Sequence, residues 1–219
     1  SVLSDEYKLD YLLIDEIQDL SPSRIRLLSK MNKYACVMAG DLNQSVFIKR
    51  QLSWIELGMK FKDNEKDPNI KKLTNNYRST IPVQNLANNY RRICKIKDDN
   101  AVSIPFIPGQ KPEFSINRNL DDSFNKILTK VKCFIDVMRF NAKDICIVVP
   151  TEGELIRIKG LLSDNHLEAL KIDDPRFDFK KSNDIIRLST TKMVKGIDSP
   201  IIILLLSERF TDLSKNGNT

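Results

Sequence analysis

The chain has 219 residues, 41% of them hydrophobic, enough to bury one or two full cores, which excludes a disordered tail and a small disulfide-stapled module. Its formal net charge is +6, so a polyanionic partner suits the composition. The longest apolar run, Ile201 to Leu206, falls far short of the ~20 residues a membrane-spanning helix needs.

In chain order, Tyr11 to Ile14 is a short apolar run of strand length. A helix is expected after Pro22, capped by Ser21, with Ile25, Leu27, Leu28 and Met31 turned inward. Ala35 to Ala39 is a second strand. The stretch Lys60 to Lys72 (KFKDNEKDPNIKK) is charged and contains Pro68, so it reads as a hinge between domains, or as a long exposed loop inside one. Leu73 to Thr80 (LTNNYRST) precedes Pro82 and a helical stretch. Leu120 to Phe140 repeats apolar residues at helical spacing, with Asp121 or Asp122 as its cap. Ile145 to Val149 is a strand, followed by a helix over Thr151 to Leu162 that opens with Thr151 and Glu154 as a capping box. Ile185 to Ser189 and Ile201 to Leu206 complete the strands. Because these runs are continuous rather than alternating, they fit strands buried on both faces of a parallel sheet. Strands alternating with helices make the fold class α/β, with ligands at the carboxyl ends of the strands.

The four cysteines, Cys36, Cys94, Cys133 and Cys146, form no CxxC pair and read as buried small hydrophobes in a reducing, cytoplasmic setting. The single histidine, His166, lies in a polar stretch and reads as a surface residue, so neither a zinc site nor a histidine-based triad is expected. No glycine is followed by lysine, so the phosphate-cradling pattern GxxxxGK[ST] is absent from these 219 residues.

Four segments carry chemistry. In YLLIDEIQDL a buried strand delivers Asp15 and Glu16 at its carboxyl end. Adjacent side chains leave a strand in different directions, so one carboxylate can face a hydrated Mg²⁺ while the other addresses a water; a polar turn after a core strand is the alternative. Gly40 to Ser45 (GDLNQS) follows the second strand at the same sheet edge, and the Gln44 amide can both donate to a phosphate and accept from another group. In LTNNYRST, Tyr77 offers a stacking face and Arg78 a rigid cationic fork for phosphate; a helix N-terminal turn with a surface arginine fits equally. Between the last two strands, Thr190, Thr191, Lys192, Lys195, Gly196 and Asp198 make a loop suited either to backbone phosphates of nucleic acid or to plain solvent exposure.

Taken in order, these segments resemble motifs II, III, IV and V of the UvrD/Rep-like superfamily 1 DNA helicases. Asp15-Glu16-Ile17-Gln18-Asp19 resembles the family's DExQD, Gly40 to Ser45 its GDxxQS, Asn76 to Ser79 its NYRS, and Thr190 to Asp198 its TxHxxKGLE. Asp144 to Leu162 is similar to the segment between motifs IV and V. The resemblance implies a RecA-like P-loop NTPase architecture of parallel sheets flanked by helices, with ATP and Mg²⁺ between two domains and single-stranded DNA across their top. It implies the C-terminal part of a first RecA-like domain over residues 1–68 and most of a second over 69–219. On that pattern Asp15 holds Mg²⁺, Glu16 activates the attacking water, Gln44 couples the γ-phosphate to DNA contacts, Tyr77 stacks on adenine and Arg78 stabilises the transferring phosphoryl group. Gly196 and Asp198 lie near the nucleotide, while Phe47, Lys49, Thr190 and Lys192 lie on the nucleic-acid side.

This sequence departs from the family in four ways. The P-loop and the arginine-bearing motif VI are absent, so the chain is expected to be a fragment of a longer protein and inactive on its own. Phe47-Ile48-Lys49 stands where a base-stacking tryptophan is often found, with Trp54 as a possible substitute or a core residue. Lys192 and Asp198 replace the histidine and glutamate of motif V. Only about a dozen residues separate Ile172 from Ile185, so the accessory domain of the longer helicases is not expected here. A compact build with GDLNQ and YRST is also similar to the HelD-like relatives that act on RNA polymerase. A non-catalytic module binding nucleic acid or protein is the reading from a different class.

Overall fold

The computed structural model describes residues 8–41, 71, 73, 75–93, 104–178 and 182–206. The expectations placed on Lys60 to Lys72, apart from the exposed Lys71, and on Gln44, Phe47, Lys49, Trp54 and Cys94 lie outside the described residues. The chain divides into two compact units, residues 1–113 and 114–219, and the expected 68/69 boundary falls outside the described residues.

In the first unit, β1 (Leu9–Ile14) and β2 (Asn32–Met38) pair in parallel, with Leu12 opposite Cys36 and Ile14 opposite Met38. The crossover between them is α1 (Pro22–Leu28), which starts where the sequence places it: Pro22 occupies the first turn and the Ser21 hydroxyl accepts from the Arg24 N–H. Ile25 is buried, but Leu27 is exposed, against expectation. Two positions apart on a helix point in nearly opposite directions, so a seven-residue helix cannot turn both inward. β1 and β2 also differ from expectation in that Tyr11, Leu13, Tyr34 and Val37 are exposed. Their sequences have the pattern of doubly covered strands, but the structure leaves these side chains open.

A second parallel pair, β3 (Asn75–Thr80) and β4 (Ile104–Ile107), is connected through α2 (Ile81–Ile93). The YRST residues therefore end a strand, with the helix following directly.

The second unit is built on four parallel strands, β5 (Ile145–Val149), β6 (Glu168–Lys171), β7 (Ile185–Thr190) and β8 (Ile201–Leu204), in the order β6-β7-β5-β8. Every residue of β5 is buried, as its unbroken apolar run requires of a central strand. Two helices, α3 (Leu120–Lys132) and α4 (Glu152–Asp164), contribute Phe124, Ile127 and Val131, and Leu155, Ile158 and Leu162, to a core shared with Ile145, Ile147, Val149, Ile186 and Leu188. The cap of α3 is Asn119, whose side chain accepts from the Asp122 N–H at 2.8 Å; Asp121 and Asp122 sit in the first turn, where the helix dipole favours acidic groups. Regular helix ends at Lys132, short of the expected Phe140, and continues as a wider turn over Cys133–Val137 in which the Met138 N–H reaches the Cys133 carbonyl.

The α4 capping box forms as expected. The Thr151 hydroxyl accepts from the Glu154 N–H, and the Glu154 carboxylate accepts from the Thr151 N–H at 3.0 Å. At the other end His166 adopts a left-handed conformation (φ 59°), with its N–H on the Ser163 carbonyl and the Leu167 N–H on the Leu162 carbonyl. His166 is exposed, as expected, and serves as the helix stop. Of the cysteines, Cys146 is buried and Cys36 half-buried, whereas Cys133 is exposed because it lies just past the last regular turn of α3.

Candidate functional site

Asp15 and Glu16 follow the last residue of β1, at the carboxyl end of the parallel pair, and both are exposed. Glu16 is held in a left-handed backbone conformation (φ 51°, ψ 42°), and its N–H donates to Asp15 Oδ1 at 2.8 Å. That turn sends the chain into a short 3-10 segment, Ile17–Asp19, whose Ile17 and Gln18 are buried. A backbone bond ties it to the residue after β2, the Ile17 N–H donating to the Ala39 carbonyl at 3.0 Å, while the Ala39 N–H donates to the Ile14 carbonyl at the end of β1 at 2.8 Å.

Gln18 connects the two motifs at this edge. Its Nε2 donates to Glu16 Oε2, and its Oε1 accepts from the Asp41 N–H at 3.1 Å. One buried amide thus fixes both the Glu16 carboxylate and the start of the loop after β2. The approach is so close that a Cβ on Gly40 would lie 2.3 Å from Gln18 Oε1 and 2.6 Å from Ile17 Cγ2, so only glycine fits at that position. The sequence pattern contained Gln18 without giving it a task; the pairing across 23 positions that creates the task is visible only in the fold.

The second group sits on β3. Asn76 pairs with Pro105 and Thr80 with Ile107, so Tyr77, Arg78 and Ser79 bulge out opposite the single residue Phe106. The Asn76 Oδ1 accepts from the Arg78 and Ser79 N–H groups, both at 2.9 Å, and so takes the place of the missing ladder bonds. Asn76 is itself anchored: its Nδ2 donates to Gln84 Oε1 at 2.8 Å, and the buried Gln84 donates in turn to Asn88 Oδ1 at 3.0 Å. A chain of three amides therefore runs from α2 to the bulge and presents Tyr77 and Arg78 outward, with Tyr77 71% exposed. Sequence reasoning missed Gln84 and Asn88, whose signal was an amide pair four apart at the start of a helix.

In the second unit the two ends of the expected loop separate. Thr190 ends β7 opposite Val149, at the carboxyl edge, and is buried; its carbonyl accepts from the Met193 and Val194 N–H groups. Lys192 is exposed beyond it. Gly196 has a positive φ of 77°, and after it the chain returns along the sheet. Arg187, buried in β7, donates to the Asp198 carbonyl and to the Ser199 hydroxyl, both at 2.8 Å. The Ser199 hydroxyl donates to the Asp144 carbonyl at 2.7 Å, so Asp198 lies near the amino end of β5, away from Thr190 and Lys192. Arg187 was also missed, although a lone arginine inside an apolar strand must find partners when buried.

Among the described residues no group of three or more His, Cys, Asp or Glu side chains could enclose a metal ion. A hydrated Mg²⁺ asks for less, since it keeps several waters and takes one or two carboxylates together with substrate phosphates. Asp15, exposed and with Oδ2 beside an oxygen already oriented by the Glu16 N–H, fits that requirement.

The described residues define a mixed α/β protein with parallel sheets, flanking helices and a pair of carboxylates at a strand's carboxyl end. Residues 4–64 match the family model of the UvrD/REP helicase N-terminal domain, which supports reading this segment as a fragment of a UvrD/Rep-like helicase. The match covers the DExQD and GDxxQS segments, while Asn76 to Ser79 and Thr190 to Asp198 lie beyond it. No curated protein matches the chain. No helix among the described residues is long and apolar enough to cross a membrane.

Proposed function

We propose that this chain is part of an ATP-dependent superfamily 1 DNA helicase or translocase with RecA-like domains, residues 1–68 closing the first and 69–219 forming the second. The observation that carries the reading is the edge at Asp15 and Glu16, inside the segment that matches the helicase domain and braced by Gln18 against the loop after β2.

Asp15 would hold Mg²⁺, which when bound draws charge from the phosphate oxygens. Glu16 takes a proton from the attacking water; its carboxylate is exposed yet oriented by Gln18, which suits a base that must meet an incoming water. Arg78 supplies a fixed positive fork for the γ-phosphate, and Tyr77 a stacking face for adenine. Gln44, three positions after Asp41 in sequence and outside the described residues, links phosphate occupancy to DNA contacts. Gly196, in the loop after β7, keeps the nucleotide-side role that the resemblance gives it, whereas Asp198, near the amino end of β5, does not. Phe47, Lys49 and Lys192 contact single-stranded DNA, while the buried Thr190 shapes the turn that carries Lys192.

The test is ATP turnover by the full-length protein with and without single-stranded DNA. Glu16→Gln should lower turnover by ~100-fold or more while nucleotide binding persists, as expected for loss of a general base. The 219 residues alone, having no GxxxxGK[ST], should hydrolyse no ATP. Unchanged turnover in Glu16→Gln would overturn the assignment. A stable complex with RNA polymerase, without strand separation, would instead favour a HelD-like role.

A further inference from the structure

Tyr77 does not stand alone on its strand. The ring of Phe106 stacks on it, with centroids 5.7 Å apart and planes 18° from parallel. Phe106 is the one β4 residue facing the three-residue bulge, and it is itself 54% exposed. The rim of the tyrosine is fixed as well, because Asn75 Nδ2 donates to the Tyr77 hydroxyl at 3.2 Å. With one face partly covered by the offset Phe106 ring and its hydroxyl tethered, a ring that is still 71% exposed presents its other face to solvent.

A large aromatic pair left open to water costs free energy unless something covers it, and the bulge gives no local reason for two rings to be held flat there. We infer that Phe106 is the positioning residue for nucleobase binding: it backs Tyr77 so that the tyrosine's free face receives a planar base, forming a three-layer stack of Phe106, Tyr77 and base. This rests on the proposed reading of Tyr77 as a nucleotide contact and adds to it the residue that sets the platform's orientation. A backed ring loses little rotamer freedom when the base arrives, and a Tyr77 face held flat overlaps the larger purine ring system more than a pyrimidine.

The test is binding of a fluorescent ATP analogue, labelled on the ribose, to the full-length protein, with inorganic tripolyphosphate as a competitor that has no base. Phe106→Leu should weaken analogue binding about three- to tenfold, leave tripolyphosphate affinity unchanged, and narrow the preference for ATP over UTP. Phe106→Met, which keeps the volume but not the aromatic face, should do the same, and Phe106→Trp should restore binding. Wild-type binding by both Phe106→Leu and Phe106→Met, while Tyr77→Ala is weakened, would overturn the inference and leave the nucleotide reading standing. Equal loss for ATP and tripolyphosphate would also overturn it, since Phe106 would then support only the fold. If Tyr77→Ala itself binds normally, the nucleotide reading of Tyr77 fails, and the role of Phe106 fails with it.

Discussion

Gln18 shows how much a single buried side chain can organise. It is 1% exposed, yet both ends of its amide are engaged, one by the Glu16 carboxylate and one by the Asp41 N–H. A methyl group on Gly40 would occupy the place of its oxygen. Gly40→Ala should therefore push Gln18 out and leave polar groups unpaired, at a cost of about 1–3 kcal/mol. A chemical denaturation midpoint measured beside wild type checks this; a change below about 0.5 kcal/mol would mean that Gln18 has another way to be satisfied. The carboxylate pair was legible from residues alone, because an apolar run ending in two acids can be recognised locally. The bracing was not, because Gln18 and Asp41 are 23 positions apart and nothing local predicts their meeting.

Among the elements, α4 and β3 mark two limits of legibility. The start of α4 was readable because a capping box is contained in four consecutive residues, and its hydroxyl and carboxylate sit as the pattern requires. Thr151→Ala removes the hydroxyl that accepts from the Glu154 N–H and donates to its buried carboxylate, and should cost about 1–2 kcal/mol. In a unit of this size that is a fall in melting temperature of roughly 5 °C or more. By contrast, β3 was hidden. Its bulge depends on β4, and IPFI is a four-residue strand carrying a proline that local propensity argues against. Leu27 and the α3 cap were misjudged for a related reason: periodicity lists the candidates, but the angle between positions and the nearest free N–H decide among them.

On the scale of the whole molecule, the second unit carries its own core, with β5 and β7 buried through most of their length. Its reporter is Cys146. Burial raises the thiol pKa above its ordinary value, only partly offset by the neighbouring Arg187 charge, so the reactive thiolate is scarce until the sheet opens. Cys133 is exposed. A maleimide titration under native conditions should therefore label Cys133 at once and Cys146 only at the rate at which the unit unfolds. Equal labelling rates would mean that the sheet is not the stable centre described here. The existence of β5, β7 and β8 was the most legible part of the fold, since continuous apolar runs are required wherever helices or loops cover both faces; their order was not, because no local pattern says which strands pair. Nor was the cut between the compact units at residues 113 and 114, which depends on contacts that no composition boundary marks.

The left-handed backbone at Glu16 uncouples stability from activity. A side-chain-bearing residue pays for that conformation, about 1–2 kcal/mol, whereas glycine adopts it freely. Glu16→Gly relieves that strain but takes the carboxylate acceptor from the buried Gln18 amide, a loss of similar size, so the melting temperature should stay close to wild type while the turnover proposed for the full-length protein is abolished. A selection for thermal tolerance alone would do little to keep Glu16 in place. Any effort to stabilise the protein should therefore score turnover in every round.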